Sequence, residues 1–192
     1  MSLKIAIGVP IINRSKLLLR AMRSVLEQTY SNIELLTSDD TSTDDTLDRI
    51  VEIEDPRVVL YQQQKRLGLV VNVYFCFSRA TGELFLLLGD GDMLLPRAIE
   101  RLVALFLQEK DTGVTWCPCV IAATESSRYW TTDGGPERER LADMLSALWS
   151  SKRGPRLSGT VVRTAEAIEV GGYRSVHGDL CDILTRGESG RA

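Results

Sequence analysis

Two aspartates one residue apart, Asp90 and Asp92, follow an apolar run from Leu84 to Leu88, with Gly89 and Gly91 set around them. A wholly apolar run of this length reads as a buried strand and is too short for a membrane span. Pro96 is well placed as the first residue of a following helix. Strand, acidic tip and helix in that order put ligands at the carboxyl ends of a parallel sheet. Two carboxylates there suit a hard divalent cation, Mg²⁺ or Mn²⁺, held jointly with substrate phosphates. The plainer reading is a solvated acidic turn after a core strand, and the other strand ends weigh against it.

Those ends can be placed from the pattern of the chain. Leu3 to Val9 reads as a first strand stopped by Pro10. Ser15 is placed to cap a helix to about Tyr30, with Leu18, Met22, Val25, Leu26 and Tyr30 near the 3.6 period. Ile33 to Thr37 forms a second strand, and Thr43 or Asp44 caps a helix with Leu47, Ile50 and Val51 on one face. Val58 to Tyr61 is a third strand, the turn at Arg66-Leu67-Gly68 leads into a helix from Leu69 to Arg79, and the acidic-tipped strand is the fourth. Alternation of this kind calls for α/β architecture, a Rossmann-like doubly wound sheet of mostly parallel strands joined by right-handed crossovers. Asn13-Arg14, Asp39-Asp40, Arg66 to Gly68 and Asp90 to Asp92 each follow a strand, so all four clusters gather along one edge of the sheet. Such convergence favours a nucleotide-type site over four unrelated turns.

Beyond Pro96 the pattern continues with an amphipathic helix (Ile99, Leu102, Val103, Leu105, Phe106) and a strand from Val114 to Ala122. Tyr129-Trp130 reads as a strand or an aromatic wall, Glu137 to Trp149 as a helix, and Lys152 to Arg156 as a solvated basic loop. Leu157 to Arg163 is a late strand, after which Thr164 caps a short helix closed by Gly171-Gly172. No repeat or linker divides the chain, so one domain over residues 1–192 is expected.

Composition narrows the class. With 192 residues, 44% of them hydrophobic and 26% charged, there is material for one core. A balance of 23 basic against 26 acidic residues, net −3, argues against a nucleic-acid partner. No transmembrane segment or signal peptide is expected. Cys76, Cys117, Cys119 and Cys181, with His177 as the only histidine, fit neither a disulfide framework nor a zinc site, and read as reduced thiols of a cytoplasmic protein.

An ordered set of short segments carries a resemblance. Val9-Pro10-Ile11-Ile12-Asn13-Arg14 is followed by Ser24-Val25-Leu26-Glu27-Gln28-Thr29-Tyr30, then by Ser38-Asp39-Asp40-Thr41-Ser42-Thr43-Asp44. Gly68-Leu69, Ala80-Thr81-Gly82-Glu83, Leu88-Gly89-Asp90-Gly91-Asp92 and Gly171-Gly172-Tyr173 complete it. Together they resemble the nucleotide-sugar glycosyltransferases of family 2, which have the GT-A fold; the likeness is dense from Lys4 to about Leu107 and thin afterwards. It implies a nucleotide-sugar-binding half over 1–107 and an acceptor-side half over 108–192, with a mixed extension of the sheet. Relatives usually continue past Arg186, so the acceptor-side half is expected to be incomplete.

The resemblance implies a role for each matching residue. Asp92 would ligate Mn²⁺ or Mg²⁺ on the donor diphosphate, and Asp90 would reach the ribose or the metal through water. Asp39 or Asp40 would accept hydrogen bonds from the base or ribose, beside the backbone of Pro10, Ile11, Ile12 and Asn13. Gly68 and Gly91 lie in the same donor-binding loops. Arg66 stands where many relatives have Asn, and would contact base or phosphate. An inverting transfer also needs a carboxylate to take the acceptor hydroxyl's proton. The late segment His177-Gly178-Asp179-Leu180-Cys181-Asp182 offers Asp179 first and Asp182 in reserve, which share a face if the segment is helical. The usual Glu-Asp pair is absent, since Gly178 precedes Asp179. His177 reads as a surface or packing residue.

The expected activity is therefore transfer of a sugar from a nucleotide-diphospho-sugar donor to a carbohydrate or lipid-linked acceptor, metal-dependent and inverting. Cell-envelope polysaccharide synthesis is the expected setting, in the cytoplasm or at the inner face of the membrane. A non-catalytic nucleotide-sugar-binding or scaffold domain is the alternative. A haloacid-dehalogenase-type phosphatase fits less well, because its paired Asp lies on the first strand rather than the fourth.

Overall fold

The wholly apolar strands predicted above are apolar because both of their faces are covered. The computed structural model describes residues 2–116, 120–122, 129–131, 158–169, 173–174 and 182–183. Strand β1 (Ile5–Ile11) is buried along its whole length. It lies between β2 (Ile33–Asp39) and β4 (Leu84–Leu87), parallel to both, with Ile5 opposite Ile33 on one side and Leu84 on the other. β3 (Val58–Gln62) extends the parallel set beyond β2. On the far side, β8 (Thr160–Arg163) runs antiparallel to β4, and β5 (Val114–Trp116) antiparallel to β8, giving the order β3-β2-β1-β4-β8-β5. The sheet is mixed on one flank only, as expected.

Side-chain alternation sorts this sheet into two cores. Ile5, Ile7, Val9, Leu35, Leu84 and Leu86 face helices α1 (Ser15–Leu26), α2 (Thr46–Val51) and α4 (Ala98–Gln108), meeting Leu18, Met22, Val25, Ile50, Ile99 and Phe106. Ala6, Leu36, Phe85 and Leu87 face α3 (Leu69–Arg79), through Val73, Cys76 and Phe77, and α5 (Thr164–Glu169), through Ala167. Phe77 and Phe85 meet edge to face with centroids 5.0 Å apart. A Cβ on Gly8 would come within 2.7 Å of the Phe85 ring and 3.0 Å of the Cys76 Cβ, so glycine lets α3 lie close against β1.

Several boundaries differ from expectation for identifiable reasons. Pro10 does not stop β1; the strand runs on to Ile11. The Gly8 carbonyl accepts from Leu88 and the Ile11 carbonyl from Asp40, so by alternation the Pro10 nitrogen points toward β4, whose ladder with β1 ends at the Gly8–Leu87 pair. The missing N–H therefore interrupts nothing. Helix α1 begins at Ser15 and ends at Leu26, four residues short of Tyr30, because Gln28 and Thr29 turn to bind the segment before α4. In α2, Ile50 is buried but Val51 is 70% exposed, the helix being only six residues long. Asp44 does serve its start, accepting the Thr46 amide at 3.0 Å. Helix α4 begins at Ala98, two residues after Pro96.

The single strand expected from Val114 to Ala122 is divided. β5 joins the main sheet, whereas β6 (Val120–Ala122) pairs antiparallel with β7 (Tyr129–Thr131) as a separate ribbon. A second ribbon joins β9 (Tyr173–Arg174) to β10 (Asp182–Ile183). Asp182 is thus on a strand, which corrects the helical pairing expected for it with Asp179. The Glu137 to Trp149 helix, the Lys152 to Arg156 loop, Gly171-Gly172, His177 and Asp179 lie outside the described residues. Among the described residues, no helix is long and apolar enough to cross a membrane.

Candidate functional site

The four expected clusters do gather at the carboxyl ends of β1 to β4, and side-chain hydrogen bonds bind them to one another. Asn13 adopts φ 52° and Thr41 φ 66°, in the left-handed region that Asn enters more readily than most residues. So turned, Asn13 receives the Thr43 amide on its Oδ1 at 2.7 Å and donates its own amide to Ser42 Oγ at 2.9 Å. The loops after β1 and β2 are thereby clasped together.

Asp39 and Asp40, alike in sequence, do different work. Asp40 is buried, and its two oxygens accept the Leu67 amide at 2.5 Å and the Gly68 amide at 3.0 Å. It anchors the loop after β3, where Gly68 precedes α3 with φ 78°. A Cβ there would meet nothing within 4 Å, so glycine serves the backbone conformation rather than a close contact. Asp39 is also fully buried, with Oδ2 accepting the Ser42 amide at 3.0 Å, while its Oδ1 has no hydrogen-bond partner among the described residues. A buried carboxylate oxygen without a donor is costly, and this one is at the end of a strand where a ligand's N–H or O–H can supply the donor. Beneath it, Ser38 donates to Asn72 Oδ1 at 2.5 Å, Asn72 Nδ2 donates to the Ser38 carbonyl at 2.9 Å, and Gln63 Nε2 donates to Ser38 Oγ at 3.0 Å. Arg66 is exposed.

The acidic tip is a tight turn. The Asp92 amide donates to the Gly89 carbonyl at 3.0 Å, closing a four-residue loop with Asp90 second and Asp92 fourth. Asp90 is half-buried, and its Oδ1 pairs with the Arg14 guanidinium at 3.3 Å. Asp92 is exposed, and its Oδ2 accepts from the Ser158 hydroxyl. A Cβ on Gly91 would meet nothing within 4 Å, leaving the surface between the two acids bare. No group of three or more His, Cys, Asp and Glu able to hold a metal exists among the described residues. Two carboxylates and no more fit Mg²⁺ or Mn²⁺ completed by phosphate and water, and do not fit a cage made by the protein alone.

The segment after the tip is held from α1. Ser24 Oγ accepts the Leu94 amide at 3.1 Å; Gln28 Nε2 donates to the Leu95 carbonyl at 2.7 Å; the Thr29 amide donates to the Pro96 carbonyl at 3.0 Å. Gln28 Oε1 also accepts the Ile99 amide at 3.1 Å, serving the first turn of α4, whose own N-cap residue Arg97 makes no side-chain cap bond. These residues carried the resemblance without an assigned role; their role is to fix the segment that hangs from Asp92. Arg14's contact with Asp90 and Ser158's with Asp92 were not foreseen. Ser158 gives no sequence signal, since it comes 66 residues after its partner.

Cys76 has no place in this chemistry: burial pushes its thiol up to about 12, where little thiolate forms at neutral pH.

Comparison with known proteins accords with this geometry. Residues 6–169 match the family model described as glycosyl transferase family 2. An uncharacterized glycosyltransferase of Nostoc is 29% identical over 166 residues, 84% of this chain and 51% of that protein. A Campylobacter jejuni GalNAc(5)-diNAcBac-PP-undecaprenol beta-1,3-glucosyltransferase is 32% identical over 52% of this chain and 33% of its own length. The chain thus spans about half or less of these relatives. Among solved structures, the mannosyltransferase PcManGT of Pyrobaculum calidifontis, in complex with GDP-Man and Mn²⁺, has a TM-score of 0.65 at 18% identity over 91% of this chain and 48% of that one. S. aureus TarS 1-349 in complex with UDP has a TM-score of 0.65 at 20% identity, covering 86% of this chain and 48% of that one. These likenesses extend the expected GT-A architecture to the whole described sheet, and the chain belongs to glycosyl transferase family 2.

Proposed function

We propose that this chain is the donor-binding part of a metal-dependent, inverting glycosyltransferase that moves a sugar from a nucleoside-diphosphate sugar to an acceptor hydroxyl. One observation carries the reading: a buried Asp39 oxygen, unpartnered among the described residues, and an acidic turn bearing Asp90 and Asp92 lie at the same sheet edge. Asp39 is suited to accept from the base or ribose, and Asn13 and Asp40 to hold the surrounding loops. Pro10, Ile11 and Ile12, at the end of β1, would lie under the base, and Arg66 and Gly68, in the loop after β3, would lie beside it. Similar structures hold GDP-Man with Mn²⁺ and UDP, which supports a donor of this class.

Asp90 and Asp92 would hold a divalent cation, Mn²⁺ or Mg²⁺. When bound, it supplies Lewis-acid stabilisation to the diphosphate as that group leaves. Asp179 is the proposed base, with Asp182 as its alternative: it takes the acceptor proton while the hydroxyl oxygen bonds to the anomeric carbon. The bond from that carbon to the diphosphate oxygen breaks, and its electron pair departs with the nucleoside diphosphate.

The Campylobacter relative's name specifies an undecaprenol-diphosphate acceptor. By that analogy the acceptor here is a carbohydrate or lipid-linked saccharide of cell-envelope synthesis, met at the cytoplasmic face of the membrane.

Nucleoside diphosphate release from UDP- and GDP-sugars, followed with Mn²⁺ and with EDTA, tests the reading. Release that needs the metal is expected. Phosphate release from simple esters would favour a phosphatase instead, and binding without turnover would leave a nucleotide-sugar-binding module.

A further inference from the structure

The turn that carries Asp90 and Asp92 is strapped by a residue from the other half of the chain. Ser158 lies two residues before β8 and bridges to Leu87 at the end of β4. The Gly89 amide donates to Ser158 Oγ at 2.9 Å, so the hydroxyl's own proton is directed elsewhere, to Asp92 Oδ2. The result is a short relay, Gly89 N–H to Ser158 O–H to the Asp92 carboxylate, lying across a turn already closed by the Asp92 amide on the Gly89 carbonyl. Gly89 makes room for it: a Cβ there would come within 2.9 Å of Asp92 Oδ2 and 3.3 Å of Ser158 Oγ.

Among the described residues the Asp92 carboxylate has no other hydrogen-bond partner. It is exposed, on a turn whose neighbour Gly91 offers no side chain, and a free aspartate in such a place samples several rotamers. Fixing one oxygen by a hydroxyl holds the carboxylate in one orientation and leaves the other oxygen for a ligand. Loss of a partner of this kind, which orients a metal-ligating carboxylate, typically costs about 10- to 100-fold in metal affinity.

We propose that Ser158 is a positioning residue for the cation site: it presets the Asp92 carboxylate for Mn²⁺ or Mg²⁺ and ties the site to the acceptor-side strand β8. The inference rests on the donor-site reading above, and goes beyond it in assigning a residue outside the acidic motif.

The test is Mn²⁺ titration in the presence of UDP or GDP, followed by electron paramagnetic resonance of free Mn²⁺. The variants are Ser158→Ala, Ser158→Thr and Gly89→Ala, each with a thermal melt. Ser158→Ala is expected to weaken Mn²⁺ binding by about 10- to 100-fold, with nucleotide binding in EDTA and the melting curve nearly unchanged. Ser158→Thr, which keeps the hydroxyl, restores binding; Gly89→Ala, which crowds the same contact, reproduces the loss without removing the hydroxyl. Wild-type affinity in Ser158→Ala would overturn the inference, as would tighter binding, or equal losses in Ser158→Ala and Ser158→Thr. If the wild type itself binds no Mn²⁺ with either nucleotide, the donor-site reading fails first and the inference with it.

Discussion

Replacing Gln28 with methionine would remove three hydrogen bonds while keeping the length and much of the volume of the side chain. Gln28 is 8% exposed; its amide donates to Ser24 and Leu95 carbonyls and accepts the Ile99 amide. Methionine leaves the Leu95 carbonyl and the Ile99 amide without these partners. An unsatisfied buried group costs about 1–3 kcal/mol, and two of them, partly relieved by relaxation, give an expected loss of about 2–4 kcal/mol. Domains of this size are commonly stable by only about 5–15 kcal/mol, and each kcal/mol moves the melting temperature by about 2–4 °C. Urea unfolding is the assay, read as a shift of midpoint at constant slope. Because the same bonds hold the segment that follows Asp92, nucleotide affinity in Mn²⁺ should fall more than affinity in EDTA. A stability loss below about 0.5 kcal/mol, the range of ordinary surface changes, would refute the clamp.

Asp92→Asn should abolish the Mn²⁺-dependent part of nucleotide binding while changing stability by no more than about 0.5 kcal/mol, since the side chain is exposed; titration calorimetry and a urea curve check both halves. Asp179→Asn should lower transfer by about 10²–10⁴-fold with donor binding intact, measured in a longer chain with a working acceptor; if only Asp182→Asn has that effect, the two roles are exchanged. Burial raises the Cys76 pKa from its ordinary value of 9.0 to about 12, so the native thiol keeps its proton over most of that range. The unfolded chain gives that proton up earlier, so this contribution to stability is complete below about pH 9 and is lost as the pH rises toward 12. Mass spectrometry after iodoacetamide treatment at pH 8.5 should find Cys76 unmodified in native protein and alkylated in urea; native labelling would contradict its burial.

The strand–helix alternation up to Phe106 was legible because the strands are predominantly apolar and are set apart by amphipathic helices and turn residues, so period and punctuation agree. What failed were features set by tertiary partners. Pro10 reads as a breaker in isolation, yet it sits in β1 where no neighbour needs its N–H. Gln28 and Thr29 continue a helical pattern, yet leave α1 to bind the 94–99 segment. Gly82 illustrates the opposite case. Its place in a family-like segment carried no reason until β1 was set beside it, where a Cβ would come within 2.6 Å of the Ala6 nitrogen. The paired acids after β2 could not be told apart by type or spacing. Only the amides of Leu67 and Gly68 distinguish the loop anchor Asp40 from Asp39, whose buried Oδ1 has no partner among the described residues. Ser158 was beyond reach for the same reason, since nothing local marks a serine that meets its carboxylate across the sheet.

The most direct test of the central claim is nucleoside diphosphate affinity, measured by calorimetry for UDP, GDP, CDP and ADP in Mn²⁺ and again in EDTA. At least one of them should bind in Mn²⁺ and lose about tenfold or more of its affinity in EDTA, since on the proposed reading a divalent cation held by Asp90 and Asp92 would link them to the diphosphate. Equal affinities in Mn²⁺ and EDTA would remove the cation from the account, and no binding by any of the four would remove the donor site itself.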